Sequence, residues 1–314
     1  MQSFEGEAME SRRPLMLGLV GDSASGKTTL VRGVVRILGH NGVTPIALDD
    51  YQRYSREERN ARNLTDADPQ ANDLELMVEH LRVLRAGGQI SKPVYDHRTG
   101  LRRDPELVVA TGLVIAYGML TLTPPNAADL FDLTIYLDPD ESLRRAWRLE
   151  RDVRERGYSP AEVVAREPAR ERDAARFIHC QRPLASTVLR VRPAAAGPAG
   201  ALDTELIIRH GVEAHPLDPV CADLAAATYP ALRIDRDIID QDGREGDRIT
   251  IASSLTPATA AQVADLVWSY LPGAIRVPLE QIGQTRAGST AHHDPALALV
   301  QLFIVGGLVR TRGL

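Results

Sequence analysis

Residues Gly21, Asp22, Ser23, Ala24, Ser25, Gly26, Lys27 and Thr28 fit the pattern G-x-x-x-x-G-K-[ST] in full, a spacing that suits the capture of a phosphate chain. Glycine lets the loop turn its backbone N–H groups toward phosphate oxygens, and a helix starting at the loop's end aims its N-terminal dipole at the same anion. Lys27 then reaches the β and γ phosphates of ATP, and Thr28 offers a hydroxyl to Mg²⁺; Thr29 belongs to the same nucleotide-binding set. All but two of the 37 basic residues are arginine, the exceptions being Lys27 and Lys92. A compact ammonium on a flexible stem fits position 27 where a planar guanidinium does not, so a lysine kept there points to a specific role.

Such a loop needs a strand before it and a helix after it. Pro14 to Val20 is an apolar run of strand length, and Thr28 to Leu38 has the apolar spacing of a helix lying on a sheet. A second apolar run, Val43 to Leu48, stops at Asp49 and Asp50, at a strand end of the kind where α/β proteins bind ligands. Either carboxylate is a candidate base for taking a proton from an attacking hydroxyl, and neighbouring strand residues point oppositely, so only one faces the reaction. The guanine-recognition pattern N-K-x-D is absent, which favours a small-molecule kinase over a GTPase.

Farther along, Ala71 to Ala86 reads as a helix closed by Gly87 and Gly88, and Leu107 to Ile115 and Leu130 to Leu137 read as buried strands. Glu141 to Arg154 and Pro160 to Ile178 read as helices, the second opened by a capping box of Ser159, Pro160 and Glu162. These two helices are rich in arginine: Arg148, Arg151, Arg154 and Arg156 precede Gly157, and Arg166, Arg170, Arg172 and Arg176 follow. Guanidinium forks suit paired phosphates, as in a lid closing over ATP and excluding water; the plainer alternative is a solvated helix pair laced with ion pairs such as Arg148 with Asp152.

The stretch Asp49-Asp-Tyr-Gln-Arg-Tyr-Ser-Arg56 after a phosphate loop resembles the D-D-Y-H and following Arg of the phosphoribulokinase and uridine kinase family, with Gln52 in place of the usual histidine. Lys92-Pro-Val-Tyr-Asp-His-Arg-Thr-Gly100 is similar to that family's K-P-x-Y-N-H-x-T-G, and Arg151-Asp152 with Arg156-Gly157 is similar to its R-D-x-x-x-R-G lid. The resemblance implies a P-loop NTPase fold with a mainly parallel sheet flanked by helices, and an α+β C-terminal extension. It implies Asp49 as base, with Lys27, Arg151, Asp152 and Arg156 as the other catalytic groups. Arg53, Arg56, Tyr95, His97, Thr99, Arg148, Arg156 and Arg170 become the substrate-binding candidates, and Thr28 and Asp152 the metal candidates. The implied activity is ATP-dependent phosphorylation of a hydroxyl on a small sugar-type substrate, ribulose 5-phosphate foremost. A nucleoside kinase, a kinase of another sugar phosphate and a non-catalytic nucleotide sensor are the alternatives.

The pattern breaks after Ile115. Phosphoribulokinases usually carry E-G-L-H there, whereas this chain has Ala116-Tyr-Gly-Met-Leu120, and a tyrosine supplies no charge near neutral pH. The match covers residues 15 to 192 and continues faintly in Ile207-Ile-Arg-His-Gly211, a stretch like one in the longer phosphoribulokinases. The cysteine pairs of light-regulated plant enzymes have no counterpart between residues 21 and 56.

The 314 residues suffice for a full core, and a net charge of -5 disfavours a general nucleic-acid footprint. Two cysteines, Cys180 and Cys221, are too few for a disulfide framework, and no apolar run reaches membrane-spanning length, so a cytoplasmic protein without membrane contact, able to form homo-oligomers, is expected. The expected organisation is a flexible tail over 1–14, a kinase domain over 15–192 with its lid near 141–180, a small-residue linker or loop over 193–203, and a C-terminal extension over 204–314 packed on the kinase domain.

Overall fold

A computed structural model describes residues 13–196, 198, 200–211, 218–269, 271, 276–287 and 290–311. Residues 1–12 of the expected tail lie outside the described residues, but Arg13 is held by an ion pair to Asp132 at 2.5 Å. The core is one eight-stranded sheet in the order β2-β5-β1-β6-β7-β8-β10-β9. The first five of these, β2 (Val43–Ala47), β5 (Leu113–Gly118), β1 (Leu15–Gly21), β6 (Leu133–Pro139) and β7 (Thr187–Pro193), run parallel. Then β8 (Leu202–Arg209), β10 (Glu245–Ile251) and β9 (Leu232–Ile239) continue it antiparallel.

Strand β1 shows why the sheet is buried on both faces. Leu15, Leu17 and Leu19 enter one apolar cluster and Met16 and Val20 the other, following the two-residue period of a strand. Helices α1 (Lys27–Leu38), α7 (Pro257–Ser269) and α8 (Pro295–Thr311) cover the first face. Helix α3 (Leu74–Arg85) and the segment from Ala174 to Ala185 cover the second. Gln301 of α8 lies so close to α1 that a Cβ on Gly33 would stand 1.9 Å from its amide carbon; its Nε2 donates to the Thr29 carbonyl at 3.2 Å.

Several expectations change in detail. The apolar stretch Leu107 to Ile115 is not one strand: it divides between β4 (Leu101–Val109) and β5, because the chain turns at 110–112. Strand β4 pairs only with β3 (Gln89–Asp96), and the K-P-V-Y-D-H-R-T-G segment therefore forms a strand and its hairpin turn. Pro105 is tolerated in β4 and Pro45 in β2 because each strand lies at a sheet edge. Strands β7 and β8, on either side of the small-residue stretch, pair antiparallel, so the sheet continues from one to the other. Helix α5 (Pro160–Asp173) ends sooner than read, giving way to a π-turn over Ala174–Ile178 and a 3-10 turn over His179–Leu184. The apolar runs at Leu206 and Ile249 face each other in β8 and β10. Both cysteines are free, and among the described residues no helix is long and apolar enough to cross a membrane.

Candidate active site

The glycine-rich loop joins β1 to α1 with Ala24 at φ 65° and Gly26 at φ 98°, left-handed conformations that bend the backbone into a cradle. Lys27 is buried, and its Nζ donates to the carbonyls of Gly21 at 2.7 Å and Asp22 at 2.9 Å. Burial lowers its pKa, while the charges of Asp49 and Asp22 work in the opposite direction. The buried Ser25 hydroxyl has no hydrogen-bond partner among the described residues, an orphan polar atom in a loop suited to phosphate oxygens. Thr28 stands exposed on the first turn of α1, as a hydroxyl meant for a nucleotide-borne cation must.

Contrary to the expected alternation, Asp49 and Asp50 do not lie on a strand: β2 ends at Ala47, and both stand in a 3-10 turn over Leu48–Asp50, which gives them different partners. Asp50 is committed to structure: it pairs with the buried Lys92 at 2.5 Å, and Lys92 also reaches Glu106 at 2.9 Å. Asp49 accepts the Met119 N–H through Oδ1 at 2.8 Å, and its Oδ2 makes no hydrogen bond among the described residues. The close approach needs Gly118, where a Cβ would come within 2.9 Å of Leu48 Cβ and 3.1 Å of Asp49 Oδ1. Next to it on β5, Tyr117 is half-buried, and burial together with Asp50 and Asp49 raises its pKa, so the phenol stays neutral.

Gln181, to which no motif points, braces the residue that holds Asp49. Its Nε2 donates to the Met119 and Phe177 carbonyls at 2.8 Å each, and its Oε1 accepts the Leu122 N–H at 2.8 Å. It thereby ties the root of the lid to the residue that holds Asp49. A lone glutamine inside a 3-10 turn carries no local signal, and only the fold brings it to Met119.

The lid helices are α4 (Glu141–Arg156) and α5, joined through Gly157 in a left-handed cap at φ 74°. Ser159 and Glu162 form the expected capping box, with both reciprocal bonds present. Asp152 is buried and faces three guanidinia: Arg151 at 2.7 Å, Arg156 at 3.5 Å and Arg148 at 3.8 Å. A carboxylate so balanced suits the orientation of arginines, a role that stands beside the metal support expected of it. Arg151 also donates to the Ser23 hydroxyl at 2.9 Å, and Arg144 pairs with Asp22 at 2.8 Å, so the lid rests directly on the phosphate loop.

The substrate candidates separate into two groups. His97 stands where burial and Arg156 lower its pKa, with Asp49 and Asp50 opposing, which gathers hairpin, lid and base around one space. Tyr95 is buried with its ring 5.1 Å from that of His97. Arg56 donates to the His97 carbonyl at 2.5 Å and lies 4.7 Å over the Tyr158 ring, with Arg166 at 4.6 Å to the same ring. Arg170 pairs with Asp66 at 2.6 Å; burial would raise the Asp66 carboxyl, but Arg170 and Arg59 hold it well below the usual range. Three candidates stand apart. Arg53 is exposed, bonding the Asn72 carbonyl and Asp73 ahead of α3, and Thr99 is an exposed turn residue. Arg148 is buried between the two lid helices, paired with Glu167.

Gln52 has no free amide to offer a ligand. Its Nε2 donates to Asn72 at 2.7 Å and its Oε1 accepts from Arg59 at 2.7 Å, beside the Tyr95 hydroxyl. Arg59, Asn72 and Asp66 thus belong to one buried network with Gln52, and none of them stands in a motif that would have singled it out.

The sequence profile of the phosphoribulokinase/uridine kinase family matches residues 16–196. A phosphoribulokinase of Synechocystis sp. is 36% identical over 181 residues, covering 58% of this chain and 54% of that protein. The chloroplastic phosphoribulokinase of Arabidopsis thaliana is 32% identical over 224 residues, covering 65% and 57%. A uridine kinase of Clostridium tetani is 35% identical over 159 residues, covering 49% and 75%. The chain thus spans little more than half the length of these phosphoribulokinases. Among solved structures, a phosphoribulokinase from Rhodobacter spheroides aligns with a TM-score of 0.58 at 17% identity, over 83% of this chain and 96% of that one, and shares its fold. With phosphate loop, paired aspartates, hairpin and lid arranged around one space and the family profile spanning more than half of its residues, the chain belongs to the phosphoribulokinase/uridine kinase family.

Proposed function

We propose that this chain is an ATP-dependent kinase that phosphorylates a hydroxyl of a sugar phosphate, ribulose 5-phosphate, to give ribulose 1,5-bisphosphate. The observation that carries the reading is Asp49: one carboxylate oxygen is fixed by the Met119 N–H and the other is uncommitted, within the electrostatic reach of Lys27 and His97. In this reading Asp49 takes the proton of the acceptor hydroxyl as the new O–P bond forms to the γ-phosphorus and the bond to the β-phosphate oxygen breaks, releasing ADP. Lys27 and the loop N–H groups hold the phosphates, and Arg151 and Arg156, oriented by Asp152, meet the charge that spreads over the transferring group. Magnesium, held through the Thr28 hydroxyl, would supply further charge neutralisation on the nucleotide. Arg56 and Arg170, at the rim where hairpin and lid meet, are suited to the acceptor's own phosphate, and that pair favours a sugar phosphate over an uncharged nucleoside.

The test is ADP release from Mg-ATP with ribulose 5-phosphate, uridine, other pentose phosphates or no acceptor, for wild type and Asp49→Asn. Turnover with ribulose 5-phosphate that vanishes in the variant supports the reading. Preference for another acceptor keeps the mechanism and changes the substrate, whereas ATP binding without acceptor-dependent turnover sinks the kinase assignment.

A further inference from the structure

A second charged cluster lies away from the phosphate loop, where the end of β8 meets β9 and β10. Asp247 is completely buried on β10, on the face that Ile249 and Ile251 give to the core. A carboxylate in such a place is costly unless its charge is met. The register between β10 and β9 shifts at this point, so that Arg236 and Asp237 together stand opposite Asp247, a β-bulge of the kind that re-aims side chains. Asp237 adopts φ 52° and donates its backbone N–H to Asp247 Oδ1 at 3.1 Å.

The consequence is a three-strand convergence of metal-ligating atoms: one each from His210, Asp237 and Asp247, all within 4.8 Å of one another. His210 Nε2 stands 3.4 Å from Asp247 Oδ1. Two ligands held at 2.0–2.1 Å from a tetrahedral zinc ion are about 3.4 Å apart, so this pair already has the spacing of shared coordination. Asp247 Oδ2 is buried and makes no hydrogen bond among the described residues; Arg236 Nη1 lies 3.1 Å from it as an ion pair out of hydrogen-bond alignment. Arg236 is itself partly exposed and long enough to leave, while His210 and Asp237 reach solvent and offer an entry path.

We propose that His210, Asp237 and Asp247 bind one divalent transition-metal ion of the zinc type, and that Arg236 is the resident counter-charge the ion displaces. One imidazole nitrogen and two carboxylate oxygens suit zinc, cobalt or nickel better than magnesium, which demands a near-ideal octahedron of oxygens. Since the ligands come from β8, β9 and β10, the ion joins the three antiparallel strands that extend the parallel sheet.

The experiment titrates the nucleotide-free full chain with Co²⁺ and then Zn²⁺, read by visible d–d absorption and calorimetry. One Co²⁺ per chain, displaced by Zn²⁺, is expected. Asp237→Asn keeps the left-handed backbone, which asparagine tolerates, and weakens binding by more than about 10-fold, the lower end of what even an outer partner of a metal site is worth. His210→Gln weakens it likewise. Arg236→Gln tightens binding, whereas a permanent structural ion pair predicts lost stability with no gain in affinity. Thr28→Ala binds as wild type does, which separates this site from the nucleotide's cation. No stoichiometric ion in either wild type or Arg236→Gln overturns the proposal, and so does binding that survives both Asp237→Asn and His210→Gln or is lost in Thr28→Ala.

Discussion

Two regions of this molecule spend arginine in opposite ways. At the junction of β8 with the turn between β9 and β10, Arg209 is completely buried and every guanidinium nitrogen is engaged. Nε bonds Asp240 at 2.7 Å, Nη1 the carbonyls of Arg182 and Ala185 at 2.6 and 2.8 Å, and Nη2 Asp242. In the lid, arginines crowd one another, and among the described residues some of their nitrogens lack a hydrogen bond. Arg148 has Nε and Nη1 buried without a hydrogen bond among the described residues, as does Nε of Arg170, and Arg148's pKa is pushed down to about 10 by burial and by Arg170. A satisfied guanidinium holds architecture, whereas crowded and partly unmet guanidinia describe a site completed by an incoming anion.

The comparison can be broken from either side. The largest effect expected is on catalysis: Arg151→Ala or Arg156→Ala lowers kcat about 10³-fold, as loss of a charge-stabilising arginine does, while the melting temperature stays near wild type; steady-state rates and a thermal scan read both. Arg209→Ala reverses the pattern, costing about 3–5 kcal/mol in a denaturant titration because Asp240 and Asp242 lose their buried partner, with kcat per folded molecule little changed. Asp152→Asn, which frees three guanidinia, lowers kcat by about 10-fold without a comparable loss of stability, a split that a merely structural carboxylate would not give.

A smaller effect separates the two regions by pH. Burial alone would raise the Asp240 carboxyl, but the Arg244 N–H, Arg209 and the Asp242 N–H outweigh it and hold it below its ordinary 3.8. Below that value the unfolded state binds more protons, so the stabilisation is present above it and fades as pH falls through the depressed folded value. Asp240→Asn therefore flattens the acid limb of a stability profile, and an unaltered limb would remove Asp240 from the account. Least of all, Arg53→Ala changes stability by less than about 0.5 kcal/mol and leaves the Michaelis constant for the acceptor unmoved, since Arg53 faces solvent beside Asp73.

What was legible in the sequence is what local chemistry dictates. Gly21 to Thr28 specify a turn and a helix start, Ser159 with Glu162 specifies another, and Asp49 with Asp50 marks a strand end almost to the residue. The hairpin is hard to read because Leu107 to Val109 and Leu113 to Ile115 are apolar on both sides of a short Thr111-Gly112 break, although the charged Arg102, Arg103, Asp104 and Glu106 mark β4 as exposed while β5 is buried. Likewise Gln52, Gln181 and Arg59 act through partners far away in sequence, and the role of each exists only once Asn72, Met119 and Tyr95 have been brought to it. That Arg148 is buried between the two lid helices was not legible either, because the face a helix buries is decided by tertiary packing.

The contact between Gln301 and the first turns of α1 has a consequence for how the protein folds. The hydrogen bond from Gln301 to Thr29 spans 272 residues, so the helix that follows the phosphate loop takes part of its cover from a helix far away along the chain. So distant a closure is slow to find by diffusion, which makes the docking of α8 on α1 a late folding event. Until it occurs, the side of α1 around Gly33 has no cover, and the folding chain carries an exposed apolar strip.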